Sequence, residues 1–195
     1  MGKSIKSYDL PALPQDFVDD RDPYPRELRD EMSVEIPPED YSAELNLNPD
    51  QQQAFTKILN KVENEEHGVF FLDGPGGTGK TYLYRSLLAN LRLRNMIALA
   101  TATSGVAAAI MPGGRTAHSR FKIPISANES TICNIAKQSG TADLLRKARL
   151  IIWDEAPMAK RWAIEILYRT LQDIMNNQEP FGRKVIVFGG DFRQV

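Results

Sequence analysis

Apolar residues recur along this chain with two spacings, and the spacings separate helices from strands. Ala54, Phe55, Ile58, Leu59 and Val62 fall on one face of a 3.6-residue helix. Leu83, Leu87, Leu88 and Leu91 do the same, as do Ile164, Leu167, Leu171 and Ile174. Between these stripes lie short runs, at 69–72, 96–101, 148–153 and 184–188, that are apolar in all but one or two positions. A run without polar alternation is what a strand needs when helices cover both of its faces. Alternation of such strands with helices predicts an α/β fold, three layers deep, around a mainly parallel sheet. The boundaries carry their own signals. Asn48 and Pro49 suit the N-cap and first position of the first helix, and the acidic run to Glu66 followed by His67-Gly68 ends it. The second helix starts behind a cluster of glycines and stops near Arg94-Asn95, and the third spans 161–176.

Composition changes the picture at the amino-terminal end. Residues 1–46 hold six of the twelve prolines, spread among acids, and only 26–32 supports a helical turn or two. An extended, partly ordered lead-in is expected there, with 47–195 as the folded domain. The net charge of −1 hides a split: thirteen acidic against five basic residues in 1–50, and twelve against nineteen in 51–195. A basic body suits a phosphate backbone. The acids either keep the lead-in solvated or shield that body. A length of 195 residues fits one α/β domain. No apolar run approaches the roughly 20 residues that cross a bilayer, so no membrane partner is expected. A signal-peptide core is missing, and Lys6 stands where a myristoylation signal needs Ser or Thr. The lone Cys133 excludes a disulfide framework, points to a reducing compartment and is expected to be a small helical residue.

The chemistry concentrates in Gly74-Pro-Gly76-Gly77-Thr78-Gly79-Lys80-Thr81, which has the spacing of a phosphate-binding P-loop. Phosphates must lie against consecutive backbone N–H groups, and the glycines keep that approach open. The helix behind the loop aims its unpaired N–H groups at the same place. In this reading Lys80 reaches the β- and γ-phosphates and the Thr81 hydroxyl ligates Mg²⁺. Residues 148–153 run into Asp154-Glu155, a Walker B pattern. Asp154 would hold the Mg²⁺ shell, and Glu155 would orient and deprotonate water. Adjacent carboxylates at the end of an apolar strand are costly unless they have work to do.

Other stretches leave two readings open. Gln51 is either a solvated first-turn residue or an amide that pairs with adenine. Thr101-Ala-Thr103-Ser104-Gly is either an ordinary N-cap or a second phosphate-friendly surface. Residues 112–122 mix two arginines, a lysine, His118, two hydroxyls and Phe121, the groups that a single strand of nucleic acid asks for. His118 equally suits a structural role. Residues 126–147 are polar and weakly helical. The strand at 184–188 delivers Gly189-Gly-Asp191-Phe-Arg-Gln194 to the same sheet edge, where Asp191 and Gln194 are placed to sense a γ-phosphate.

The order of these motifs resembles superfamily-one DNA helicases. Leu47-Asn-Pro-Asp-Gln51, the P-loop, Thr101 to Ala108, Thr116-Ala-His-Ser119, Trp153-Asp-Glu-Ala-Pro157 and Gly189 to Gln194 are similar to the glutamine motif and motifs I, Ia, Ib, II and III. The likeness is greatest to the PIF (petite integration frequency), RecD-related family, in its plant and Helitron branch. It implies a P-loop NTPase of RecA-like α/β/α form, with 47–195 as an incomplete first motor domain. It further implies a monomeric ATP- and Mg²⁺-dependent motor moving 5′ to 3′ on single-stranded DNA. Repair, recombination and telomere maintenance would be its roles, in the nucleus or alternatively the mitochondrion. Carried over residue by residue, Gln51 reads adenine; Lys80, Thr81, Asp154 and Glu155 perform hydrolysis; Gln194 couples the γ-phosphate to motion. Thr103, Ser104, His118 and Phe121 face DNA. A chain that ends this early in the family's motif order is not expected to unwind duplex alone. The competing reading is a truncated module that binds ATP and DNA without turnover. A GTPase is disfavoured because the near match to a guanine reader, 60–63, lies before the P-loop and ends in Glu; a P-loop kinase would rarely place Asp-Glu at a strand end.

Overall fold

Parallel strands β1 (Gly68–Asp73), β2 (Ile97–Ala102), β3 (Arg115–Thr116), β4 (Ala148–Asp154) and β5 (Val185–Gly190) form one sheet in the order β1-β5-β4-β2-β3. The computed structural model describes residues 23–126, 128 and 131–194. Side chains alternate across the sheet and divide the core in two. Ala98, Ala100, Leu150, Ile152, Val185 and Val187 face helices α2 (Pro49–Glu63) and α3 (Lys80–Leu93). Leu99, Ile151, Trp153, Ile186 and Phe188 face the other way. There they meet α6 (Gly140–Lys147) and α7 (Arg161–Met175). Each Leu, Ile or Val fully buried in these layers contributes roughly 1.5–3 kcal/mol. The three-layer α/β/α architecture read from the apolar runs is the one observed. Short helices α4 (Gly105–Ala109) and α5 (Ala117–Phe121) follow β2 and β3.

Three expectations are corrected. First, β1 is not buried on both faces. Among the described strands it lies at the sheet edge, pairing only with β5. Phe70 and Leu72 pack on the α2–α3 side, while Val69 and Phe71 are exposed. Phe71 stacks on Phe192 with ring centroids 4.3 Å apart. The sequence run looked doubly buried because both faces of an edge strand carry apolar residues here.

Second, the described part of the lead-in is packed against the folded body rather than extended away from it. Helix α1 (Arg26–Met32) places Leu28 in the α6–α7 core and Glu31 between two arginines, 2.8 Å from Arg92 and 2.9 Å from Arg120. Asp40 and Glu39 each lie 2.9 Å from Arg85, Glu44 accepts from Asn90, and Tyr82 donates to the Ala43 carbonyl over 3.1 Å. Helix α1 occupies the 26–32 stretch where a helical turn was expected, and of the two readings of the acids, solvation and shielding of the basic body, the ion pairs favour the second. Part of the charge excess assigned to nucleic acid is therefore neutralised internally. Residues 1–22 lie outside the described residues.

Third, 112–122 is an ordered element rather than an open loop. Arg115 and Thr116 pair with Thr101 and Ala102, and the Thr116 hydroxyl caps α5 by accepting from Ser119 N. Cys133, expected on a helix, is buried and lies outside any helix. Burial pushes its thiol pKa up, with a hydrogen bond to Thr170 opposing. No helix among the described residues is long and apolar enough to cross a membrane.

Candidate nucleotide site

The carboxyl ends of β1, β4 and β5 open on a cavity of about 500 Å³. Gly76, Gly79, Lys80, Thr81, Asp154 and Glu155 are among its lining residues. This lies within the roughly 300–1,000 Å³ range of small-ligand sites. The P-loop leaves β1 at Asp73 and turns through Gly77 and Gly79, with φ of +83° and +82°, a region that side chains rarely adopt. Space beside Gly76 and Gly77 is open to 4 Å, so the loop's concave side is bare backbone. Lys80 opens α3 and folds back over the loop, donating to Gly74 O and, at 3.0 Å, to Pro75 O. These carbonyls hold the ammonium where phosphate oxygens would replace them.

Gln51 sits on the flank of the loop. It is the third residue of α2 and completes a capping box: Asn48 Oδ1 accepts from Gln51 N at 2.9 Å, and Gln51 Oε1 accepts from Asn48 N at 3.0 Å. Its Nε2 donates to Thr78 O and Gly79 O at 3.3 and 3.4 Å. A Cβ at position 79 would lie 2.4 Å from that nitrogen and would displace the Gln51 amide from its present place. Asn-x-x-Gln is a readable capping-box signature, yet the sequence reading took only its first half. A second cavity of about 550 Å³ lies on this side, lined by Gln51, Asp73 and Thr78 among others.

Two carboxylates close the first cavity. Asp154 is buried, which raises its pKa; hydrogen bonds from Glu155 N–H and the Tyr84 hydroxyl, and the charge of Lys80, act against that rise. Glu155 adopts left-handed backbone, φ +54° and ψ +33°, ahead of the turn Ala156–Met158. For a non-glycine residue this costs on the order of 1–3 kcal/mol. Its buried Oε2 has no protein partner. A strained acid that lines a cavity while one of its buried oxygens stays unpartnered is an arrangement associated with functional sites. Thr81, Asp154 and Glu155 supply hard oxygen donors on one wall, the set that Mg²⁺ prefers, so the residues present fit that ion.

Asp191 lies on the same wall and accepts from Arg193 N and Nε at 3.0 Å each. The backbone and side-chain hydrogen bonds from Arg193 hold its carboxyl below the usual carboxylate range. Gln194 lies on the turn Phe192–Gln194 behind it.

The residues expected to face DNA are not brought together in the same way. Phe121 is fully buried against Trp153, with centroids 5.8 Å apart, and offers no face to a base. Ala117, Arg120 and Phe121, at the i, i+3 and i+4 positions of α5, share its core face and point inward. Arg120 is likewise buried and donates to Gly113 O at 3.0 Å beside Glu31. Thr103 accepts from Trp153 Nε1 at 3.0 Å and donates to Glu155 O at 2.7 Å, tying β2 to β4. Ser104 caps α4 by accepting from Ala107 N, the ordinary N-cap reading. His118 is half-exposed, and Ser119 and Lys122 are exposed.

Fold and site together define a RecA-like P-loop NTPase domain. A family model described as "PIF1-like helicase" matches residues 46–195, and the chain belongs to that family. Among curated relatives it is 32% identical over 154 residues to the ATP-dependent DNA helicase Pif1 of Bdellovibrio bacteriovorus, covering 78% of this chain and 33% of that protein. It is 32% identical over 127 residues to the Psychrobacter Pif1, covering 64% and 19%. The Candida albicans Pif1 crystal structure superimposes with a TM-score of 0.62 at 28% identity, over 75% of this chain and 32% of that one. A Bacteroides Pif1 in complex with ADP-AlF3 and ssDNA gives 0.57 at 28% identity, over 72% and 32%. The chain thus spans about a third or less of the relatives it matches.

Proposed function

We propose that this chain is the ATP-binding first motor domain of a DNA helicase that couples ATP hydrolysis to 5′-to-3′ movement on single-stranded DNA. One observation carries the reading: Lys80, Thr81, Asp154 and Glu155, far apart in sequence, converge on one cavity at the carboxyl edge of the sheet. Support comes from relatives named ATP-dependent DNA helicases and from a related structure with ADP-AlF3 and ssDNA.

In this mechanism the P-loop N–H groups and the start of α3 receive the β- and γ-phosphates. The Lys80 ammonium leaves the Gly74 and Pro75 carbonyls for phosphate oxygens. Thr81 and Asp154 would hold Mg²⁺, which would supply positive charge to offset the charge developing on the phosphates. The Glu155 carboxylate, on the wall of the same cavity, accepts a proton from the attacking water. The water oxygen bonds to the γ-phosphorus as the bond to the bridging oxygen breaks, and ADP leaves with that electron pair. Gln51 retains one lone pair on Oε1, suited to the exocyclic amine of adenine. Gln194 relays the state of the γ-phosphate. DNA runs past β3 and α5, contacting His118, Ser119 and Lys122 rather than the buried Phe121. Repair, recombination and telomere maintenance are the processes such a motor serves.

Phosphate release with and without a single-stranded oligonucleotide tests the reading. DNA-stimulated release that weakens on His118→Ala is expected. ATP binding with no release under either condition would favour the non-hydrolysing module.

A further inference from the structure

Tyr84 lies directly behind Asp154, and nothing in the nucleotide reading uses it. It follows Lys80 by four residues, so both project from the same face of α3, one toward the loop and the other toward the sheet. Its side chain is completely buried, and its hydroxyl donates to Asp154 Oδ1 over 3.2 Å. The contact needs a gap in β5. A Cβ at Gly189 would stand 1.6 Å from the Tyr84 oxygen and 3.1 Å from Asp154 Oδ1. The first glycine of Gly189-Gly190 therefore makes room for a hydrogen bond between two other elements. Burying a tyrosine without using its hydroxyl would be costly, and no other acceptor for that hydroxyl is observed among the described residues.

We propose that Tyr84 is a positioning residue for the metal-binding carboxylate. Resting on the nucleotide-site reading above, the hydroxyl caps Oδ1, fixes the plane of the Asp154 carboxylate and turns Oδ2 toward the cation that accompanies the nucleotide. A flexible Asp would share both oxygens between Lys80, water and metal; a capped one presents a single, oriented donor. Partners of this kind behind a metal ligand typically change metal affinity by about 10–100-fold when removed. Tyr84→Phe keeps the ring and its packing and deletes only the donor.

The test is a fluorescence titration of the 195-residue chain and its Tyr84→Phe variant with mant-ATP, once in EDTA and once in Mg²⁺. In EDTA the two proteins should bind within about twofold of each other. The affinity gained on adding Mg²⁺ should fall about tenfold in the variant. Mn²⁺ titration of the nucleotide-saturated proteins by electron paramagnetic resonance should show the same loss directly. Gly189→Ala, which forces the hydroxyl away, should reproduce it. Equal Mg²⁺ gain in parent and variant overturns the inference, and so does equal weakening in both conditions, which marks a packing role. A parent that binds no nucleotide in either condition overturns the site reading itself, and this inference with it. A parent with normal metal-dependent binding that Tyr84→Phe leaves intact overturns the inference alone.

Discussion

Two lysines at opposite ends of the same sheet show how differently one side chain is used. Lys80, at the carboxyl edge, is half-buried and donates to two carbonyls of a loop whose concave side is open. Lys184, at the amino edge, is buried and donates to Arg146 O at 2.6 Å and Ala148 O at 2.9 Å. Burial, with the nearby charge of Arg149, pushes its pKa down to about 8. Around Lys184 the polar groups are closed off by partners, as where Arg149 pairs with Glu65 at 2.7 Å. Around Lys80 they are left open: Glu155 keeps an unpartnered oxygen and a left-handed backbone, and glycines replace side chains. Parallel strands thus end in two chemically distinct rims, one built to hold its own chain and the other to receive something else.

If that division is right, substitutions at the open rim should change chemistry and those elsewhere should change stability. The largest effect is expected for Glu155→Gln, which keeps a water-orienting group but cannot accept a proton. Turnover should fall about 10²–10⁴-fold while mant-ATP affinity and the urea midpoint stay close to the parent's. A variant hydrolysing at the parental rate would move the base elsewhere. Phe121→Ala should do the reverse, costing about 3–5 kcal/mol in urea unfolding through the cavity beside Trp153. A loss confined to DNA anisotropy, with stability intact, would restore the ring to the surface.

Glu31→Ala leaves Arg92 and Arg120 buried without their shared carboxylate and should cost about 3 kcal/mol. A neutral outcome would mean that α1 is detachable from the domain. The smallest effect separates the lysines by pH. The unfolded chain keeps the Lys184 proton up to about pH 10.4, whereas the folded chain releases it near 8. The burial cost is therefore fully present below pH 8, and folding stability gains as pH rises above it. Lys184→Met should flatten that rise between pH 8 and 9.5, by no more than about 3 kcal/mol over the whole shift. An unchanged slope would show that Lys184 is not the group responsible.

The open rim was more legible in the sequence than the rest. Its chemistry is local: a glycine loop, a lysine and a threonine in one turn, and two adjacent acids after an apolar run. Each motif dictates its own backbone geometry, so convergence followed once the strands were parallel. Tyr84 was invisible because its meaning depends on Asp154, 70 residues away, and on the missing side chain at Gly189. Phe121 and Arg120 misled for a related reason. A mixture of charge and ring fits a nucleic-acid loop until α5 forms, and then helical periodicity turns those two residues inward. In the lead-in, composition left solvation and shielding of the basic body both open, because the matching arginines lie on α3 and α5, elements brought beside it only by folding. The edge position of β1 depends on sheet order, which no single run of residues encodes.

Whether the rim around Lys80 takes a nucleotide triphosphate turns on that one ammonium. Isothermal titration calorimetry of ATP with Mg²⁺ into the chain and its Lys80→Ala variant tests it most directly. Saturable one-site binding by the parent is expected, with no detectable heat from a Lys80→Ala protein whose circular dichroism melt is unchanged. Equal ATP affinity in the two proteins would contradict it.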